Sequence, residues 1–583
     1  MNFDLSVVPF SRFGSYFALS RLPQSDKRSE GLYVRMIRGG DEQAGVLFGI
    51  TPIDPKSGEA LADYRVEASP VRVRLESGAG WMEWCIPEPD CIRVRGEGIG
   101  LKLTAELSAY DYALPYRERG WELNSFSREV RILLSPLLGH FEPDVVWGGL
   151  RAKHIAFVMV PGGESQSFDL SLEEYRTVPG QRDGYSYEEA EAMASQDWEQ
   201  WLSRTIRTPE HWEEARTLAA YITWSCVVRA DGYLSRPAMY MSKNWMTNIW
   251  SWDHCFNAMA LAGTNPDLAW DQFAIFFDRQ DESGMLPDFL NDKYALWNCC
   301  KPPIHGWTLN WMMENSSAVT DERLREIYEP LGKWTTWWFR YRDDDGDGIP
   351  QYNHGNDSGW DNSTAFLTDI PVESPDLSAF LVIQMEVLAA AAQRLGLDEE
   401  SERWSARANE LLQKLIEHFW DEREGRFTAM RSGSHERSAG DSLLSFVPIV
   451  LGSRLPGPIR DKVIADLKQP DRFLTGNGLA TESTSSPYYA ADGYWRGPIW
   501  APSTMLIVEG LRGAGDEEFA SELARKFCRM AAKSGMAENF DAVTGEGLRD
   551  RAFTWTSSVF LLLAGRCREE EMVSGASADS PEQ

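Results

Sequence analysis

The chain has 583 residues, 43% hydrophobic and 25% charged, ordinary proportions for a folded globular protein and enough length for two domains. Its 88 acidic residues outnumber 58 basic ones, a formal charge of −30 that repels phosphate backbones and anionic lipid alike. Nucleic-acid and membrane partners are disfavoured, and no run approaches the ~18–20 uninterrupted apolar residues of a membrane helix.

The opening Met1-Asn2-Phe3-Asp4-Leu5 carries no basic start ahead of an apolar stretch. It does not read as a secretion signal, and a cytoplasmic location is expected. From residue 1 to about 175 the pattern is β. Val71–Leu75, Ile92–Arg95 and Leu101–Leu103 alternate apolar and polar residues with period two, as half-buried antiparallel strands do. Gly78-Ala79-Gly80 and Pro87-Glu88-Pro89 punctuate them. No parallel βαβ rhythm is present, so 1–175 is expected to be a β-sandwich domain. Residues 176–208 turn polar and helical around Tyr187-Glu188-Glu189-Ala190 and read as a helical linker.

From 209 to 567 the period changes to 3.6. Ser374-Pro375-Asp376 starts a helix whose apolar face carries Leu377, Phe380, Leu381, Ile383, Met385 and Val387 and ends near Gly396. A second helix follows from about Asp398 to Trp420. About a dozen such segments, joined by alternating short and long loops, predict an all-α (α/α)6 barrel with the long loops at its mouth, where sites concentrate. The expected fold class is therefore multi-domain, an N-terminal antiparallel β-sandwich followed by an (α/α)6 barrel. Residues 568–583 are small and polar, and a disordered tail is expected there.

Eight scattered cysteines include no Cys-x-x-Cys pair, so neither a zinc cluster nor a redox motif is indicated. Reduced thiols are favoured over a vicinal disulfide at Cys299-Cys300. Asp343, Asp345 and Asp347 with Gly348 resemble a calcium loop, but the twelfth position is His354 instead of Glu, and a structural acidic turn is favoured. No metal or cofactor is expected. Phosphate-binding loops, a Gly-x-Ser-x-Gly elbow and His-Glu-x-x-His spacing are absent from the sequence.

Tryptophan is the outlying residue type: there are 24, ten of them between Trp245 and Trp338. Indole faces stack well on apolar sugar faces, although a Trp-rich helical core explains them equally well. Two carboxylates lie in glycine- and aromatic-containing loops of the expected mouth. Asp361 sits in Asp357-Ser358-Gly359-Trp360-Asp361-Asn362-Ser363, and Glu538 in Glu538-Asn539-Phe540-Asp541 ahead of Thr544-Gly545. Glycoside hydrolysis needs one carboxylic acid to protonate the leaving oxygen and one carboxylate to activate water or attack the sugar. With 88 acidic residues in the chain, ordinary loop acids are the competing reading.

The wording of these loops resembles glycoside hydrolase family 63 and its trehalase-like relatives. Asp357–Ser363 is similar to their E-S-G-x-D-N-S segment, Tyr494-Trp495-Arg496-Gly497-Pro498-Ile499-Trp500 to Y-W-R-G-P-I-W, Glu538–Asp541 with Thr544-Gly545 to E-x-Y/F-D…T-G, and Trp250-Ser251-Trp252-Asp253 to W-x-W-D. The four occur in the family's order over residues 245–560. The resemblance implies an inverting α-glycosidase with Asp361 as general acid, Glu538 as general base, and the two carboxyls roughly 6.5–9.5 Å apart. Asp361 is then expected to have a raised pKa in apolar surroundings, with Trp360 a neighbour.

By the same resemblance Asp253 binds sugar hydroxyls, with a helix N-cap as its alternative. Arg496 clamps a hydroxyl or orients a carboxylate, or makes a structural ion pair. Trp252, Trp495 and Trp500, and less strongly Trp307 and Trp555, wall the subsite, and Trp360, Asn362 and Tyr494 complete the expected substrate-binding set. Asp357 departs from the family's Glu and puts any sugar contact there in doubt.

The expected activity is an α-glucosidase acting on a small carbohydrate substrate, short α-glucosides or small glucosylated solutes. The alternative is a glucosylglycerate or mannosylglycerate hydrolase, marked by a basic group near the leaving-group side, for which Lys301, Arg496 and Arg549 are the candidates. A non-catalytic sugar-binding protein or a sugar isomerase on the same barrel is the remaining alternative. Linkage and oligomeric state are not legible.

Overall fold

The computed structural model describes residues 1–26, 28–40, 44–163, 166–182, 184–367 and 369–578, with side chains described through 573. Two compact units result. The first comprises Met1–Arg204, Ala220–Arg229 and Ser242–Thr247, and the second the remaining segments from Thr205 onward.

The first unit is built on two antiparallel sheets. In spatial order the six-stranded sheet runs Phe17–Leu22, Gly31–Met36, Val46–Ile53, Gly100–Ala105, Arg151–Val160 and His140–Gly148. The eight-stranded sheet runs Arg65–Ala68, Val73–Ser77, Gly80–Glu88, Cys91–Glu97, Ser167–Tyr175, Val130–Leu138, Trp121–Ser125 and Tyr112–Pro115. Period-two patterning decides which side chains enter the core: Ile92 and Val94 are fully buried, as are Leu101 and Leu103. Trp121 of the larger sheet meets Phe157 of the smaller, ring centroids 6.2 Å apart. The strand expected from Val71 begins at Val73 because Ser69 and Arg72 close a turn, Ser69 N–H donating to the Arg72 carbonyl at 2.8 Å.

The expected linker holds the helix Tyr187–Arg204, which belongs to the sheet unit instead of standing free. Tyr187, Ala190, Ala194, Trp198 and Trp201 are buried at helical spacing, and Tyr187 and Ala190 pack on Cys85 of the larger sheet.

Residues 213–578 hold eleven α-helices among the described residues, together with 3₁₀ turns over Leu443–Arg454 that are broken by a kink at Gly452, φ +53°. The pair anticipated from the sequence occupies Pro375–Arg394 and Asp398–Phe419. Pro375 supplies a first-turn residue with no N–H to lose, and Gly396 adopts φ +76° just beyond the first helix. Pro375–Arg394 is long and apolar enough to cross a membrane, but 83% of its apolar window is buried inside the protein. The last helix runs Thr554–Ala578, past the expected boundary at 567, so a tail beginning at 568 is corrected. Its first turns are anchored by buried Val559, Phe560, Leu563 and Cys567. Residues 579–583 lie outside the described ones.

Short two- and three-stranded ladders clamp the loops between helices. Ile249–Trp250 pairs with Phe289–Leu290, Gln351–Tyr352 with Val372–Glu373, and Ile499–Trp500 with Asn539–Phe540. Each lies beside one of the segments that carry candidate chemistry.

Candidate active site

The ladders bring distant loops of the helical unit to one place. Trp500 pairs with Asn539 and so stands next to Glu538, whose backbone N–H donates to the Asp550 carbonyl at 2.7 Å. Asn362 ties the Asp361 loop to the Tyr494 loop: its amide donates to the Gly493 carbonyl at 3.0 Å and accepts from Trp495 N–H at 2.9 Å. That amide is engaged by backbone, so Asn362 positions the loop where the sequence suggested sugar binding. Gly359 adopts φ +73°, and a Cβ there would lie 2.5 Å from the Trp252 ring, so both the turn and the contact require glycine.

Carboxylates dominate the electrostatics. Glu538 is 2% exposed, and burial, reinforced by Asp550 and opposed by Arg549 and the Tyr494 hydroxyl, pushes its pKa up to about 7. Burial likewise raises Asp361, with Lys301 and His354 pulling the other way, although 38% of its side chain remains exposed. Burial holds Asp253 well above the carboxylate range against the pull of Lys301, with Asp288 and Asp361 adding to the rise. Tyr494 feels Glu538, Asp361 and Asp253 together, all of which raise its pKa beyond the effect of burial. One phenol thus reports that the three predicted carboxylates share a site.

Lys301 is the cation inside this cluster. Its Nζ donates to Asn356 Oδ1 at 2.5 Å and to the Asn356 carbonyl at 2.8 Å, and stands 3.2 Å from Asp288 and 4.0 Å from Asp361. Burial alone would lower its pKa, but Asp288, Asp361 and Asp253 outweigh it and raise it, so Lys301 stays charged. Asp288 and Asn356 are functional neighbours that sequence reasoning missed. The available signal was Asp288 inside the apolar run Met285-Leu286-Pro287-Asp288-Phe289-Leu290, since a buried acid needs a partner.

Asp253 is not an N-cap: Trp252 holds that position, with no side-chain cap, and Asp253 begins the helix Asp253–Ala262. Among the described residues its buried Oδ2 has no hydrogen-bond partner, which leaves it open to a ligand hydroxyl. Asp357, the departure from the family's Glu, accepts from Cys300 N–H at 3.2 Å and Asn353 N–H at 3.0 Å. Its shorter carboxylate serves the loop backbone.

The tryptophans form a continuous cluster. Trp495 and Trp500 stack in parallel at 4.1 Å, Trp360 lies 4.7 Å from Trp495, and Trp555 meets both Trp500 and Trp252 edge-on. All five are at most 5% exposed, so they are packed behind the carboxylate loops. Trp307 stands outside this contact group and reaches Trp252 only through Phe256.

The three candidate cations separate. Lys301 is saturated by its neighbours, and Arg549 pairs with Asp492 while lying over the Tyr494 ring at 4.9 Å. Arg496 has no ion pair among the described residues, and its Nε is buried without a partner.

An acidic, indole-backed site with raised carboxyls on a helical scaffold fits the chemistry of a glycoside hydrolase. The profile of the mannosylglycerate hydrolase MGH1-like glycoside hydrolase domain matches residues 246–556, more than half of the chain, and the protein belongs to this family. A mannosylglycerate hydrolase of Rubrobacter radiotolerans is 25% identical over 401 residues, covering 54% of this chain and 89% of that protein. A glucosylglycerate hydrolase of Mycolicibacterium hassiacum is 23% identical over 407 residues, covering 54% and 91%. The solved GH63 mannosylglycerate hydrolase of Thermus thermophilus, in complex with glucose, superposes with a TM-score of 0.52 at 20% identity, over 60% of this chain and 99% of that one. The expected kinship with glycoside hydrolase family 63 is thereby met, and the helical region shares that structure's fold.

Proposed function

We propose that the protein is an inverting hydrolase of α-glycosides of glycerate, with a mannosyl or glucosyl donor, built as a β-sandwich followed by an (α/α)6 barrel. The observation that carries this reading is the pair of raised carboxyls, Asp361 and Glu538, gathered with Asp253 around Tyr494. The relatives' substrates favour glycerate glycosides over the broader α-glucosidase reading. Arg496, a cation without a carboxylate partner, fits a substrate that carries its own carboxylate.

Asp361 donates its proton to the glycosidic oxygen as the C1–O bond breaks. Glu538 takes a proton from the water that attacks C1 on the opposite face, and the product leaves as the β-anomer. Before binding, Lys301 favours the charged form of Asp361 while Glu538 titrates at about 7. A sugar seated on the exposed part of Asp361 removes its remaining water and lifts it further, and a water donating to Glu538 favours the charged form there. Binding therefore sets the proton where the reaction needs it. Asp253 Oδ2 accepts from a sugar hydroxyl, and the indole wall keeps bulk water away.

Time-resolved proton NMR on mannosylglycerate, glucosylglycerate and trehalose tests the reading. The β-anomer is expected to appear first from a glycerate glycoside, and trehalose is expected to turn over more slowly. With a glycosyl fluoride, whose leaving group needs no acid, Asp361→Asn is expected to retain hydrolysis and Glu538→Gln to lose it. The α-anomer appearing first, or the reverse pattern in the two variants, would overturn the assignment.

A further inference from the structure

Outside the carboxylate site, four elements of the helical unit bring two imidazoles and two carboxylates together. Asp347 comes from the acidic loop, Glu373 from the strand Val372–Glu373, His418 from the last turn of Asp398–Phe419, and His435 from the turn that follows Met430–Arg431. One ligand atom from each lies within 4.8 Å of all the others. His418 Nε2 is 2.7 Å from Glu373 Oε2, and His435 Nε2 is 3.8 Å from that oxygen and 3.7 Å from Asp347 Oδ2.

Glu373 supplies an independent observation. Its side chain is fully buried, and Oε1 has no hydrogen-bond partner among the described residues. An unsatisfied buried carboxylate oxygen is costly, and a cation in the cluster would remove the cost. The two imidazoles meet edge to face, at 85° with centroids 4.8 Å apart.

We propose that Asp347, Glu373, His418 and His435 bind a divalent transition-metal ion of the zinc type. Calcium takes six to eight oxygen ligands, whereas two nitrogens and two carboxylates are a tetrahedral zinc set. Metal–ligand bonds of ~2.0–2.1 Å put neighbouring tetrahedral ligands about 3.3 Å apart, between the 2.7 Å of His418–Glu373 and the 3.8 Å of His435–Glu373 and within the 4.8 Å that bounds the whole set. Asp345, 3.1 Å from His435, is the carboxylate that the imidazole leaves on turning toward the ion. His435 is 42% exposed, which provides the entry path.

The site is a staple. Glu373 pairs with Gln351 in the ladder from which the chain enters the Asp361 segment, so the ion ties the acidic loop, a helix end and a turn around the base of that segment. Within the acidic loop Asp343 accepts from Gly346 and Gly348 N–H groups, while Gly433 N–H donating to Asp345 at 2.9 Å and Lys414 donating to the Asp347 carbonyl at 2.8 Å already bring the turn and the helix against it.

The full-length protein, stripped with a chelator and titrated calorimetrically with ZnCl2, is expected to bind about one ion per chain, a tetrahedral set being filled by one zinc. The unfolding midpoint should rise with zinc. Stoichiometric binding should disappear in His418→Gln and His435→Gln, and CaCl2 should not replace zinc. Loading the unchanged protein with Co2+ should give the intense visible bands of a tetrahedral ion, a readout that needs no variant. A folded, active protein that takes up no zinc, zinc uptake unchanged in both variants, or calcium uptake indifferent to both histidines would each overturn the proposal.

Discussion

Buried charge is handled differently in the two units. In the sheet unit three carboxylates, Asp169, Glu83 and Glu174, are paired by arginine. Arg93 holds Asp169 with two bonds, of 2.6 and 3.2 Å, and spends a third donor on the Tyr185 carbonyl at 3.0 Å. Glu83 faces Arg72, Arg74 and Arg95, and Glu174 faces Arg38 and Arg229. In the helical unit the carboxylates of the site crowd one another with a single buried lysine among them, and buried atoms of Asp253 and Arg496 stay unpartnered. Fully paired charges specify a geometry and have nothing left for a ligand. Incompletely paired ones keep open acceptors, which is what sugar binding needs, while burial raises the pKa in both settings, at Asp169 as at Glu538.

The largest effects should come from breaking the second arrangement. Asp361→Asn and Glu538→Gln are each expected to lower kcat on natural substrates by roughly 10²–10⁴-fold while leaving circular dichroism unchanged. Breaking the first arrangement should do the opposite. Arg93→Met leaves Asp169 without its partner and is expected to cost about 3–5 kcal/mol in denaturant unfolding, with kcat of the remaining folded protein unchanged. A catalytic loss without destabilisation in Arg93→Met would erase the distinction between the units.

Glu538 sharpens the comparison through pH. Its pKa rises on folding from the ordinary 4.5 to about 7, so its contribution to stability is fully present below about 4.5 and is lost as the pH climbs through 7. That interval corresponds to about 3 kcal/mol of differential stability. Glu538→Gln, which never ionises, is therefore expected to be the more stable protein at pH 8 and to lose that advantage at pH 4, read from unfolding midpoints at the two values. A pH-independent difference would mean that Glu538 is not buried as a charge.

Local pattern made the elements legible, whereas placement in space hid most of the pairing. The helix Pro375–Arg394 could be read from its apolar period and its Pro and Gly boundaries, since each signal is local. The helix Tyr187–Arg204 is equally clear as a helix, but its attachment to Cys85 depends on a sheet about 100 residues earlier in the chain. The loops of Asp361 and Glu538 stand out in the sequence because they carry motifs. Asp288 does not, because no motif or periodic spacing links it to its partner Lys301. The indoles were legible as a group, but mutual stacking is a property of packing that composition does not carry. His418 and His435 belong to no sequence motif and meet only because a helix end and a turn flank one strand.

Asn362 gives the smallest expected effect and the finest test of the comparison. Its amide is satisfied by the backbone of Gly493 and Trp495, the manner of the sheet unit, yet it sits beside Asp361 in the unit that keeps groups open. Asn362→Ala removes both bonds at a surface position and is expected to cost about 1 kcal/mol. Asn362→Asp keeps the acceptor for Trp495 N–H but sets a carboxylate oxygen against the Gly493 carbonyl, so it should cost at least as much. If Asn362 positions Tyr494 and Trp495, stability and kcat should fall together in both variants. If it binds sugar directly, KM should rise in both variants with unfolding unchanged, and the residue would move from the paired class to the open one.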